Sequence, residues 1–203
     1  MSRVTGRAGC RTRHARSLKS HTAHVLTTAR LWIRPFTLDD VPDATAAVGL
    51  LMDSDERNRE WIARLGVDHQ REHGYAYWQC RDKGTGQLLG FCGWREHELG
   101  TSLGYAFAES TRGNGYAKEA AGAVVAWGLA NIGAERLYAS VRPPHPASCK
   151  VVEHTGMTLV REYVDAHGPR LIYALPGSPA VAADASSGGG PTPEADCCAS
   201  SAF

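Results

Sequence analysis

The first 38 residues hold no acidic side chain; Asp39 is the first. Arg3, Arg7, Arg11, Arg13, Arg16 and Lys19 crowd the first twenty positions. This stretch has no apolar h-region, which argues against a secretory signal peptide. A transit peptide and an upstream start codon share the composition, and a disordered extension is the default reading. Nowhere does the chain reach the roughly 18 consecutive apolar residues that a membrane-crossing helix requires. The six cysteines, at 10, 80, 92, 149, 197 and 198, make no CxxC pair and no metal-finger spacing. They read as free thiols of a reducing cytoplasm. The chain also lacks a strong net charge: the formal value is +1. That balance argues against a whole-domain nucleic-acid or membrane-surface footprint.

What is present suits one globular domain with tails. Of 203 residues, 43% are hydrophobic and 21% charged, which is enough for a true core. After Pro176 the sequence turns to Gly, Pro, Ala and Ser without apolar periodicity and reads as a flexible tail. The expected organisation is therefore a basic extension over 1–27, a folded domain over 28–176, and a disordered tail over 177–203.

Within the domain, short apolar-rich runs bounded by turn signals predict strands over 31–36, 75–80, 87–94, 99–108, 137–141, 159–164 and 171–175. Asp-Lys-Gly-Thr-Gly between the second and third of these is a hairpin turn. Helices are expected from Thr37, whose hydroxyl can cap a turn carrying Asp39 and Asp40, and over 55–73, 115–132 and 147–153. The order is β-α-α-β-β-β-α-β-α-β-β. A three-strand meander followed by a strand-helix-strand crossover implies a mixed sheet in an α/β or α+β fold.

One segment carries chemistry. A strand ending near Ala108 runs into Arg112-Gly-Asn-Gly-Tyr-Ala117 and then directly into the Ala-rich helix. The first turn of a helix has free N–H groups and a partial positive charge, and glycine lets a ligand approach the backbone. Together they make a cradle for a phosphate or pyrophosphate. No Gly-Lys-Ser/Thr follows, and Lys118 stands where a third glycine of Gly-x-Gly-x-x-Gly belongs, so neither nucleotide fingerprint fits. Taken alone, the loop also reads as a tight strand-to-helix turn with no ligand.

The loop resembles the Arg/Gln-x-x-Gly-x-Gly/Ala signature of GNAT acetyltransferases, and its surroundings resemble the branch containing the ribosomal-protein N-terminal acetyltransferases. Thr28-Ala-Arg-Leu-Trp-Ile-Arg-Pro-Phe36 resembles the opening strand of that family. Gly90-Phe-Cys-Gly93 and Leu103-Gly-Tyr105 resemble its third and fourth strands, and Pro146–Met157 its late helix and following turn. The resemblance implies a twisted mixed sheet of about 6–7 strands flanked by about four helices. It implies a splay between strands four and five, here 103–108 and 137–142. It also implies acetyl-CoA as co-substrate, with Phe107, Ala108, Arg112, Gly113, Asn114, Gly115, Tyr116, Ala117 and Ser148 around it. The acetyl group would pass directly to a primary amine, on a protein N-terminus or a small molecule, in a ternary complex. No metal, nucleic acid or membrane is implied, and a monomer or homodimer is expected. A non-catalytic acyl-CoA-binding module of the same fold is the alternative.

Acyl transfer from a thioester to an amine needs a base, an oxyanion donor and a proton for the leaving thiolate. By resemblance, a backbone N–H near Phe107 serves the oxyanion and Ser148 serves the leaving sulfur; Ser148 equally reads as padding in its helix turn. The family often has Glu two residues before the strand-four Gly-Tyr, but this chain has Ser102. Glu98, Glu96, His97 or a water chain are the candidate substitutes. His145 stands where the family often has Asn; it reads as a substrate contact, a replacement near the thioester, or an exposed side chain. His69-Gln-Arg-Glu-His73 spells a zinc-protease pattern, but it falls at a frayed helix end without a third ligand and reads as polar surface. Cys149 has no recognisable catalytic partner, and Trp61, Trp78, Trp94 and Trp127 read as core.

Overall fold

A computed structural model describes residues 26–47, 51–52, 54–97, 99–143, 145–165, 167–176 and 178. The basic extension up to residue 25, the tail beyond 178, and Asp53, Glu98 and Pro144 lie outside the described residues.

The chain opens with β1 (Leu26–Thr27) and β2 (Leu31–Pro35). Thr37 precedes a short 3-10 turn, where the Asp40 carboxylate reaches back to the Thr37 N–H at 2.8 Å and to its hydroxyl at 2.9 Å. α1 (Val41–Ala46) follows directly. α2 (Asp55–Trp61) is capped by the Ser54 hydroxyl, which accepts the Arg57 N–H at 3.4 Å. It continues through a π-helical stretch, Ile62–Asp68, into α3 (His69–His73), which ends on Gly74 in the left-handed region. The three pieces together occupy the single helix expected over 55–73.

Then come β3 (Tyr77–Asp82), β4 (Leu88–His97) and β5 (Gly100–Phe107), the expected meander. α4 (Tyr116–Asn131) crosses to β6 (Leu137–Val141), and α5 (Pro146–His154) leads to the hairpin of β7 (Thr158–Asp165) and β8 (Gly168–Ala174). All eight strands form one sheet, ordered β1-β2-β3-β4-β5-β6-β8-β7. Every neighbouring pair is antiparallel except β5 and β6. The sheet thus has one strand more than the seven expected. The addition is β1, a two-residue strand that pairs with Trp32 and Ile33 just before the expected domain start at 28.

Alternation along the strands divides the core between two faces. On one, Leu31, Ile33, Trp78, Cys92, Trp94 and Leu103 pack with Ala121, Val124 and Val125 of α4 and Val151 and Val152 of α5. On the other, Phe36, Tyr77, Phe91 and Ala108 pack with Val41 and Ala44 of α1, Trp61 of α2 and Leu65. Helix α4 lies close to the sheet because Gly128 faces Trp94: a Cβ there would fall 2.8 Å from the indole ring. The Trp94 indole N–H donates to the Val124 carbonyl at 3.1 Å, satisfying a group that burial would otherwise leave costly. Trp61, Trp78 and Trp94 are all buried, and Trp127 packs edge-on against Trp78.

One feature of the sheet positions the site. β5 and β6 pair only through Thr101–Leu137, Ser102–Tyr138 and Leu103–Ala139. Past that point β5 stays with β4 as far as Phe107, while β6 stays with β8 as far as Val141. The two parallel strands therefore part after Leu103, at the splay expected between 103–108 and 137–142.

Candidate active site

A parallel pair that stops halfway leaves one row of backbone groups facing a gap. Ala108 donates its N–H back to Leu89 of β4 at 2.9 Å. Successive residues of a strand alternate direction, so the N–H and C=O of Phe107 point the other way, into the gap. Arg112 agrees with this, because its Nε reaches the Phe107 carbonyl from that side at 3.4 Å. Such groups can be satisfied by an extended ligand that supplies amides of its own.

Beyond β5 the loop is built by local hydrogen bonds. The Thr111 hydroxyl donates to the Ala108 carbonyl at 2.7 Å and closes a 3-10 turn over Glu109–Thr111. Gly113 and Gly115 both adopt φ +79°, a region that L side chains enter only at a cost. The Asn114 side-chain amide donates to the carbonyls of Thr111 and Arg112, at 3.2 and 3.4 Å. Gly115 is the residue from which α4 starts, and its carbonyl accepts the Glu119 N–H at 3.1 Å. The N–H groups of Tyr116, Ala117 and Lys118 belong to the open first turn of a 16-residue helix, a setting that favours an anion. Arg112 adds a cation beside it.

Ser148 lies on the far wall. It is the third residue of α5, and its N–H donates to the His145 carbonyl at 3.0 Å. The Ser148 carbonyl in turn accepts the phenol of Tyr105 at 3.0 Å. Tyr105 belongs to the parted stretch of β5, so this bond spans the gap on the α4–α5 face. Burial pushes the Tyr105 phenol well above its ordinary value, keeping it a donor. His145 is half-buried and serves α5 through its backbone; its carbonyl also accepts the Cys149 N–H at 3.4 Å.

The candidate bases are placed differently. Glu98 lies outside the described residues. Glu96 is bound from three sides: by the Tyr75 phenol, by the Thr101 hydroxyl at 3.2 Å and by Arg136 at 2.7 Å. It stands opposite Thr101, at the end of β5 away from the loop. His97 lies on the other face of β4, with its ring 6.3 Å from that of Tyr138. Ser102, where a glutamate was sought, is hydrogen-bonded to the Tyr138 phenol, which burial drives upward. The pair sits at the last rungs before the strands part.

The zinc-protease-like pattern belongs to the fold. His69 accepts the Glu96 N–H on Nε2 at 3.0 Å, which leaves Nδ1 to donate to the Tyr75 carbonyl at 2.8 Å. Both ring nitrogens are spent, and burial lowers the His69 pKa toward the neutral imidazole this arrangement needs. Among the described residues no group of three or more His, Cys, Asp or Glu could hold a metal ion.

Two residues not singled out from the sequence also belong to the site. Arg30 and Glu119 pair at 2.7 Å, joining the β1–β2 turn to the first turn of α4.

A family model described as an acetyltransferase (GNAT) domain matches residues 30–158, well over half of the chain and including both walls of the gap. The chain belongs to the GNAT acetyltransferase family. Among curated proteins, an uncharacterised Bacillus subtilis protein, YkkB, is 33% identical over 136 residues, covering 65% of this chain and 78% of its own. Among solved structures, a GNAT-family acetyltransferase from Bordetella pertussis superimposes with a TM-score of 0.67 at 17% identity, over 75% of this chain and 99% of that one. RimL, a ribosomal-protein alpha-N-protein acetyltransferase solved with coenzyme A, gives 0.63 at 18% identity, over 74% and 97%. At such identities the likeness is one of fold. The GNAT fold accounts for the parted β5–β6 pair and for the glycine loop before α4. No helix among the described residues is long and apolar enough to cross a membrane.

Proposed function

We propose that this GNAT protein is an N-acetyltransferase that takes its acetyl group from acetyl-CoA and delivers it directly to a primary amine in a ternary complex. The observation that carries the reading is the junction of two features. A gap between parallel strands ends at a left-handed glycine pair, and that pair opens a long helix. An extended acyl chain and a pyrophosphate need those two features side by side. RimL, with the same fold, is known in complex with coenzyme A.

In this reading Gly113, Asn114, Gly115, Tyr116 and Ala117 hold the pyrophosphate through backbone N–H groups, and Arg112 balances its charge. The pantetheine arm lies in the gap against Phe107 and Ala108. The Phe107 N–H, aimed into the gap, donates to the oxyanion that forms at the thioester carbon. The attacking amine must be neutral, so a base takes its proton. Glu98 is the candidate for that role and acts through a water chain, because the β4–β5 turn lies at the end of β5 remote from Phe107. The Ser148 hydroxyl donates a hydrogen bond to the departing thiolate, which takes its proton from solvent, and His145, at the mouth of the same turn, contacts the acceptor. The acceptor is a protein N-terminus or a small-molecule amine.

The test is a thermal-shift titration with acetyl-CoA beside ATP and NAD, followed by a thiol-release screen of amines. A ligand held only by the folded state at about 100 times its Kd adds roughly 2.7 kcal/mol. A shift with acetyl-CoA alone, followed by amine-dependent thiol release, supports the enzyme. Binding with no turnover on any amine makes the protein an acyl-CoA-binding module of the same fold. No shift in a folded sample removes the coenzyme from the loop.

A further inference from the structure

We infer that Arg30 is a positioning residue for the coenzyme: from a turn distant in sequence, it sets the cradle loop in its anion-accepting form. The inference rests on reading that loop as the pyrophosphate site.

A cradle made of N–H groups is spoiled by any carbonyl oxygen that swings into it. Here three of the loop's carbonyls are engaged by side-chain donors. The Asn114 amide takes those of Thr111 and Arg112. The carbonyl of Asn114 itself, between the two left-handed glycines, accepts Nη1 of Arg30 at 3.0 Å. The peptide that carries it joins Asn114 to Gly115, and the freedom of glycine about φ lowers the steric resistance to its rotation. A charge-assisted hydrogen bond opposes that rotation.

Arg30 is itself fixed on three sides. Its Nε meets Glu119 Oε2 at 2.7 Å, and its backbone N–H meets Oε1 of the same carboxylate at 2.8 Å. Its guanidinium lies 4.3 Å over the Tyr116 ring. The Thr28 hydroxyl donates to Glu119 at 2.5 Å, so one carboxylate gathers the whole β1–β2 turn. The pairing also cancels a negative charge that Glu119 would otherwise place in the helix turn where a phosphate is to bind.

The experiment compares acetyl-CoA with S-acetylpantetheine, a donor that lacks the phosphates, by calorimetric Kd on the full chain. Arg30→Met, Arg30→Lys and Glu119→Gln are measured beside the parent. Arg30→Met is expected to weaken acetyl-CoA about tenfold or more, as for the loss of one charge-assisted bond, while S-acetylpantetheine stays within about twofold. Arg30→Lys, which keeps the charge and loses the fork, should recover part of the loss. Glu119→Gln should show the same selectivity and serves where Arg30→Met does not fold. Equal weakening of both donors would mean general damage to the fold, and unchanged acetyl-CoA binding would mean no role; either overturns the inference. A parent chain that does not bind acetyl-CoA sinks the coenzyme reading as well, so the two failures are told apart by the parent alone.

Discussion

The Tyr105 phenol donates to the Ser148 carbonyl at 3.0 Å, tying the parted stretch of β5 to the first turn of α5. The two residues approach the gap from opposite walls, so this bond fixes its width where the backbone ladder no longer does. Tyr105→Phe removes the donor and keeps the ring. The expected cost is about 1 kcal/mol of stability by urea denaturation, the ordinary net worth of one hydrogen bond. If Ser148 lines the thioester, kcat falls more than acetyl-CoA affinity does, because the wall that moves carries the hydrogen-bond donor to the thiolate and not the phosphate loop. A parent-like kcat in that variant would separate Ser148 from the chemistry.

Gly115→Asp tests the cradle directly. The backbone at φ +79° tolerates Asp better than most residues, so a loss of about 1–2 kcal/mol is expected. Nothing but an Arg30 nitrogen, at 3.6 Å, lies near a Cβ at this position, so the fold has room for the side chain. The carboxylate would stand where a phosphate is proposed to sit. A folded variant should therefore show no thermal shift with acetyl-CoA, and a parent-like shift would mean that the loop is not the coenzyme site.

The loop was legible in the sequence because glycines before a helix leave a local trace, Arg112-Gly-Asn-Gly-Tyr-Ala117, that needs no tertiary knowledge. The meander was legible for the same reason: the Asp82–Gly86 turn punctuates two short runs rich in apolar residues. What the sequence hid is non-local. Arg30 and Glu119 are 89 positions apart, and opposite charges at such a distance are too common to single out. β1 is hidden because two residues cannot show a period, and it abuts a stretch that reads as tail. Glu96 stood among the candidate bases because its three partners, Tyr75, Thr101 and Arg136, come from different segments and leave no local trace.

Acid should loosen the corner around Asp40. This carboxylate is 4% exposed and accepts from Thr37, Gln79, Arg34 and Arg81, the last three at 2.6, 3.0 and 3.0 Å. Burial alone would raise its pKa, but the hydrogen bonds and the Arg34 charge outweigh that and hold it below its ordinary 3.8. A carboxyl depressed in the folded state contributes stability above its unfolded pKa, and that contribution is lost as pH falls through the folded value. Stability should thus fall below about pH 4. Asp40→Asn should cost about 3 kcal/mol at neutral pH, since Arg34 loses the charge it pairs with and Arg81 keeps only Asp43, and should flatten the acid limb of stability against pH. An acid limb as steep as the parent's would assign the pH dependence to other carboxylates.

Gly128→Ala asks whether the closeness of α4 to the sheet is a requirement. Alanine is the better helix former by about 1 kcal/mol, so an exposed site would gain. Here the added methyl would fall 2.8 Å from three atoms of a fully buried Trp94 ring, whose N–H is held by the Val124 carbonyl in the same helix. Whether the ring retreats or α4 lifts, that bond is stretched. A net loss of about 1–3 kcal/mol is expected from overpacking, read as a lower urea midpoint with an unchanged m value. The start of α4 carries the proposed cradle, so a lifted helix should also weaken acetyl-CoA binding, although the substitution lies more than three turns away. A more stable variant would mean that helix propensity outweighs the Trp94 contact and that α4 is free to settle farther from the sheet.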